Sequence, residues 1–164
     1  MTITATRNTL TIAAEPGIPQ ILITREFDAP RALVFRAFVE PDLFARWIGP
    51  RRLQTRIDRF EVRDGGSWRF VQWGDDGVEH AFRGVYHGTP SPDAIVMTFE
   101  YEGAPGHVSL QTQALEERGG RTILRASAVF QSVEDRDMMV GSGMEEGVRD
   151  GYERLDELLA GLRA

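Results

Sequence analysis

The sequence predicts an α+β fold in which a curved antiparallel sheet carries a long C-terminal helix on one face. Three observations predict it. The segment from Ser142 to Ala164 repeats its apolar residues at helical spacing. The stretch from Arg52 to Gln131 reads as strand after strand, joined by short Gly- and Pro-containing turns. Between the first strands and that stretch lie two short helical patterns closed by prolines.

The first elements are two strands around a turn. Residues 1–17 form an N-terminal extension in which Arg7 to Ala14 alternates weakly. An added strand at a sheet edge must be covered or paired, so this segment is expected to extend the sheet or to mediate a homodimer. Pro16-Gly-Ile-Pro19 breaks the pattern, and Gln20 to Phe27 resumes it with β-branched and aromatic residues. Asp28-Ala-Pro30 then opens a helix, with Asp28 placed to cap and Pro30 suited to the first turn. Leu33, Val34, Ala37 and Phe38 form its apolar stripe. Pro41 starts a second short helix through Trp47, and Gly49-Pro50 stops it.

The strands that follow run over Arg52–Phe60, Ser67–Trp73, Val78–His87, Ala94–Tyr101, His107–Leu115 and Arg121–Gln131, with Asp64-Gly65-Gly66 as a hairpin turn. Short connections make this an antiparallel meander. Alternation assigns the inward face to Trp68 and Phe70, His80 and Phe82, Met97, Phe99 and Tyr101, and Leu124, Ala126 and Phe130. One bulge in any strand would invert its set.

Ser132-Val-Glu-Asp135 resembles a helix cap, so Val133 to Val140 is expected to be helical, with Gly141 as the break. Ser142-Gly-Met-Glu145 reads as a capping box for the last helix. On that helix Met144, Val148, Gly151, Tyr152, Leu155, Leu158, Leu159 and Leu162 share one side, and Glu146, Arg149, Asp150, Glu153, Asp156 and Glu157 the other. Glu145 with Arg149, and Asp150 with Arg154, sit at i, i+4 as surface pairs. Gly143, Gly147 and Gly151 recur every fourth residue, although a helical Gly costs about 1 kcal/mol relative to Ala. Either the helix backbone packs closely on the sheet there, or the glycines leave room for a cavity. The pattern alone leaves both open.

Composition narrows the function. A chain of 164 residues fits one domain. Its net charge of −6, with both signs interspersed, argues against nucleic acid as a partner, because phosphate binding needs a basic face. No stretch approaches a membrane span, and the N-terminus lacks the basic and apolar regions of a secretory leader. There is no cysteine, hence no disulfide, thiol nucleophile or thiolate metal site. A cytoplasmic protein is the expectation, without a membrane partner.

The order of elements, together with Thr24-Arg-Glu-Phe-Asp-Ala-Pro30, Phe44-Ala-Arg-Trp-Ile-Gly-Pro50, Asp64-Gly-Gly-Ser-Trp-Arg-Phe70 and Gly84-Val-Tyr86, resembles one family. It is similar to the bacterial relatives of the activator of the Hsp90 ATPase, within the START-like, Bet v 1-like helix-grip superfamily. The resemblance runs from about Ile18 to the end and marks residues 18–164 as the domain. It implies a sheet gripping the C-terminal helix, with an elongated cavity between them, and it shifts the reading of the helix glycines toward that cavity. It implies no single activity: relatives of the fold carry lipids, bind plant hormones, cyclise polyketides or act on a chaperone. Function has to come from the site.

The residues themselves offer little chemistry. Of the three histidines, His80 and His87 fall on opposite faces of one strand, and His107 begins another. Only His80 is predicted to face the cavity, where its near-neutral pKa suits it to polarise a ligand or act as a base. Adjacent carboxylates such as Asp75-Asp76 and Glu116-Glu117 diverge rather than converge. Metal-binding spacings, phosphate loops and nucleophile elbows are all missing. No catalytic residue, metal or cofactor is expected. The aromatics, including Trp73 and Phe130, would line or flank one sheet–helix space. The cavity set comprises Trp47, Trp68, Phe70, His80, Phe82, Met97, Phe99, Tyr101, Met144, Val148, Gly151, Tyr152 and Leu155. Three functions compete. The first is a non-catalytic binding protein for a small apolar or aromatic ligand. The second is a chaperone-associated interaction module. The third is a cyclase- or hydrolase-type enzyme using His80 with Tyr101 or Tyr152.

Overall fold

β-branched and aromatic runs separated by turn residues become strands β1 (Leu10–Ala13) and β2 (Gln20–Phe27). Two helices follow, α1 (Arg31–Val39) and α2 (Pro41–Phe44). The meander comprises β3 (Gln54–Phe60), β4 (Ser67–Trp73), β5 (Glu79–Val85), β6 (Ile95–Tyr101), β7 (Val108–Arg118) and β8 (Arg121–Val129). Helices α3 (Val133–Gly141) and α4 (Met144–Arg163) end the chain. A computed structural model describes residues 8–163, so the expected start of the first strand at Arg7 lies outside the described residues. The strands form one antiparallel sheet ordered β1-β2-β8-β7-β6-β5-β4-β3. The protein is therefore α+β, with a curved sheet and a long C-terminal helix.

Register fixes which side chains share the inner face. Ile21, Ile23, Arg25 and Phe27 of β2 lie opposite Ala128, Ala126, Leu124 and Thr122 of β8. Trp68 and Phe70 of β4 lie opposite Gly84 and Phe82 of β5. Gly84 is required by close approach: a Cβ there would stand 2.7 Å from the Trp68 ring and nearer still to the Thr98 carbonyl. Against this face α4 buries Tyr152, Leu155, Leu158 and Leu159, which join Phe27, Val34, Phe38 and Leu124 in one core.

The helix ends depart from the sequence reading in three places. Asp28 does not cap α1. Pro30 is still extended, at φ −66° and ψ 152°, so the helix begins too late for Asp28 to reach it. Glu117 of β7 accepts from the Arg31 amide instead (2.7 Å), while Asp28 pairs with Arg121 (3.3 Å) and Arg163 (3.5 Å). The second helix stops at Phe44, and the chain reaches Trp47 through tighter turns. Ser132 does cap α3, its Oγ accepting from the Asp135 amide at 3.1 Å. Ser142, however, forms no capping box. It ends α3 and donates to the Met139 carbonyl (2.6 Å). The break falls at Gly143, whose φ of +86° swings the chain into α4. No helix among the described residues is long and apolar enough to cross a membrane.

Candidate functional site

Between the inner face of the sheet and α3 and α4 lies a cavity of about 690 Å³. That volume is within the range of small-molecule sites. Strand alternation builds one wall as a run of rings: Phe70 stands 5.2 Å from Phe82, and Phe82 stands 5.4 Å from Phe99 and 5.2 Å from Tyr101. Trp68 continues it, 5.5 Å from Phe70. Met97 of β6 completes this side. The opposite wall is Trp47 stacked on Tyr152 at 6.0 Å, with Met144, Val148 and Gly151 of α4. The indole of Trp47 is held by donating to the Ala37 carbonyl at 2.8 Å.

Twelve of the thirteen residues assigned to the cavity from sequence line it; Leu155 does not. Leu155 is fully buried in the core with Phe27 and Leu124, because the helix comes down onto the sheet beyond Tyr152 and closes the cavity there. Trp73 does not line it either, and carries the Arg56 guanidinium 5.8 Å from its ring centroid. Phe130 does line it.

The helix glycines face the loop after α2. A Cβ on Gly151 would meet the Trp47 carbonyl oxygen at 3.2 Å and the Gly49 nitrogen at 3.3 Å, whereas on Gly147 it would meet Pro50 Cδ at 3.4 Å. That loop is pinned: Gln72 donates to the Ile48 carbonyl (3.1 Å) and to Thr55 Oγ1 (3.2 Å). Close packing therefore explains Gly151, though against a loop rather than the sheet. Gly151→Ala is expected to lose about 1 kcal/mol, because overpacking against backbone outweighs the gain in helix propensity. Gly147→Ala is expected to gain several tenths, up to ~1 kcal/mol, from propensity alone. Urea denaturation of the two variants checks the opposite signs.

Polar groups enter the cavity from several strands and from its rim. His80 Nδ1 and the Tyr101 hydroxyl are 3.0 Å apart. Their convergence follows from the β5–β6 register, which sets Phe82 opposite Tyr101 and brings His80 diagonal to it. Burial pushes the phenols of Tyr86 and Tyr152 well above the usual range, so both stay protonated at neutral pH. His107 binds Asp135 of α3 (2.9 Å) at the cavity edge, while His87 is exposed and lies elsewhere. Asp150 accepts from the Arg51 amide (3.0 Å) rather than pairing with Arg154, while Arg149 and Glu145 do pair (2.8 Å). No group of three or more His, Cys, Asp or Glu among the described residues could hold a metal ion.

Sequence reasoning missed the inward side of β7: Ser109, Gln111 and Gln113 line the cavity. The signal was present, since Ser-x-Gln-x-Gln alternates like any strand. Elsewhere in the sheet apolar side chains mark the inward positions, and here polar ones occupy them.

The model of the activator of Hsp90 ATPase homolog 1-like protein family matches residues 28–160. The chain belongs to this family. Membership marks a domain of ligand-binding or Hsp90-activator-like kind and names neither a ligand nor a partner. A comparison with curated proteins found no match. Among solved structures, a Rhodobacter sphaeroides protein is 25% identical, with 93% of this chain and 99% of that one covered at a TM-score of 0.84. An Arthrobacter aurescens protein is 26% identical, with 92% and 91% covered and a TM-score of 0.84. Protein Ms6760 of Mycobacterium smegmatis, at 20% identity, 92% and 97% coverage and a TM-score of 0.83, shares the fold.

Proposed function

We propose that the protein binds a small, largely apolar or aromatic molecule between the sheet and the C-terminal helix. The observation that carries this reading is the aromatic-walled cavity of about 690 Å³. Well-packed interiors hold few voids larger than a water molecule, so a space of that size is not a packing defect. Rings that are held side by side at a tilt yet only half-buried, as Phe82, Phe99 and Tyr101 are, leave apolar surface for a ligand to cover. The test is titration with the uncharged dye N-phenyl-1-naphthylamine, together with native mass spectrometry of freshly purified protein. Saturable uptake of one dye per chain, or a small molecule carried through purification, is the expected result. No saturable uptake and a bare mass would overturn this reading and leave the chaperone-type interaction module.

The contact between His80 and Tyr101 favours a second reading, acid–base catalysis on a bound molecule. A neutral imidazole protonated at Nε2 accepts from the phenol through Nδ1 and keeps the Nε2 proton for a ligand. His80→Gln separates the two: binding reduced with no turnover in either protein means His80 is a ligand contact. Turnover in the parent that is lost in the variant means catalysis.

A further inference from the structure

Resting on the binding reading above, we infer that the ligand is an elongated, uncharged ring compound bearing hydroxyl or carbonyl groups along one edge. Ser109, Gln111 and Gln113 of β7 are the groups that recognise that edge. The N-terminal half of β7 inverts the usual alternation, while Leu115 further along restores it. On the core side of a sheet, alternation normally places the apolar residue inward and the polar one outward. In β7 the inward Ser109 is 3% exposed while its outward neighbour Leu110 is 46% exposed. A strand that points hydroxyl and amides into an aromatic cavity and Leu into solvent gives up hydrophobic stabilisation on both faces.

Two of the three stripe residues also hold an unmatched polar atom. Ser109 Oγ and Gln113 Oε1 are buried without a hydrogen-bond partner among the described residues, and so is Trp68 Nε1 on the neighbouring wall. Buried polar atoms are nearly always paired, and leaving one unpaired costs free energy unless another molecule supplies the partner. The residues around the stripe cannot do so. Phe99, Met97 and Ile95 of β6 lie opposite Ser109, Gln111 and Gln113. On the other side Ala128 and Ala126 of β8 lie opposite Gln111 and Gln113, and their small side chains leave room above the amides.

Spacing and charge define the ligand further. Alternate residues of a strand stand about 6.7 Å apart, so the stripe from Ser109 to Gln113 runs about 13 Å. Serine hydroxyls and glutamine amides both donate and accept, which suits neutral hydroxyl and carbonyl groups. A carboxylate would seek a cation. Arg52, which lines the cavity, already pairs with Glu146 at 3.5 Å. A fatty-acid-like ligand is therefore disfavoured against a flat oxygenated one.

The experiment compares trans-stilbene with trans-3,5,4′-trihydroxystilbene, which share a skeleton and differ only in hydroxyl groups, by titration calorimetry on the full chain. The parent should bind the hydroxylated compound at least about tenfold more tightly. In the Gln111→Leu/Gln113→Leu variant that preference should fall to within about threefold, with stilbene still bound and the thermal midpoint unchanged or raised. Ser109→Ala, which adds no volume, should move the preference in the same direction by a smaller factor. Equal binding of both compounds by the parent, or an undiminished preference in Ser109→Ala and the double variant, would overturn the inference while leaving the binding reading intact. Uptake of neither compound, with no dye uptake, would overturn both.

Discussion

Asp156→Asn is expected to destabilise the fold by about 3 kcal/mol, at the low end of the range for breaking a buried ion pair because Asp156 is partly open to water. Arg25 of β2 is only 4% exposed. It donates to both carboxylate oxygens of Asp156 on α4, at 3.1 and 2.7 Å, and to the Glu26 carbonyl at 2.6 Å, with its guanidinium 4.9 Å from the Phe27 ring centroid. The substitution leaves that guanidinium charged and buried beside a neutral amide, in which one of the two carboxylate acceptors has become an NH2 donor facing it. Its cost is chiefly the desolvation of Arg25, not the worth of the pair. The double variant Arg25→Met/Asp156→Leu should therefore lie closer to the parent than Asp156→Asn does. Urea midpoints of the three proteins measure this. A loss below about 1 kcal/mol in Asp156→Asn would show that water reaches Arg25 after all.

The same pair shows where sequence reading stops. The order of elements was legible because hydrophobic period and turn chemistry are local: the meander after Pro50 and the helix beyond Gly143 stand as read. The aromatic wall was legible too, since alternation in β4, β5 and β6 needs only a correct parity, and none of these inward rings falls at the bulge between Ile57 and Arg59 in β3. What was not legible depends on distant partners. Arg25 and Asp156 are 131 residues apart, and nothing in either segment announces the other. Gly151 answers to the backbone of Trp47 and Gly49, so its spacing on the helix suggested a sheet or a cavity when the neighbour was a loop. Asp28 and Ser142 had the right side chains for caps, but the extended backbone at Pro30 and the helical backbone of Ser142 itself, followed by the turn at Gly143, decided otherwise. Leu155 shares the helix stripe with Tyr152 and Val148, and only the tilt of that helix against the sheet separates cavity from core. The β7 stripe was hidden by an assumption rather than by distance, that inward means apolar.

Ala128→Phe is expected to abolish uptake of the naphthylamine dye, by about a hundredfold or more in affinity, while leaving the fold intact. Ala128 lies on the inner face of β8, between Ile21 of β2 and Gln111 of β7, and borders the cavity. A benzyl group added at that position projects into the space the dye would occupy. In a solid core the same change would overpack, costing ~1–3 kcal/mol and lowering the thermal midpoint. In an open cavity it buries new apolar surface, so the midpoint should hold or rise. Thr112→Phe is the control, since Thr112 sits on the outer face of β7 opposite Ser127 and Val96. It should leave dye affinity unchanged. Retained uptake in Ala128→Phe would place the dye elsewhere on the molecule. A fall in the midpoint with uptake already absent in the parent would mean the space between sheet and helix is not available to a ligand. The distinction matters because every functional reading of this chain except the surface module requires that space to admit a molecule.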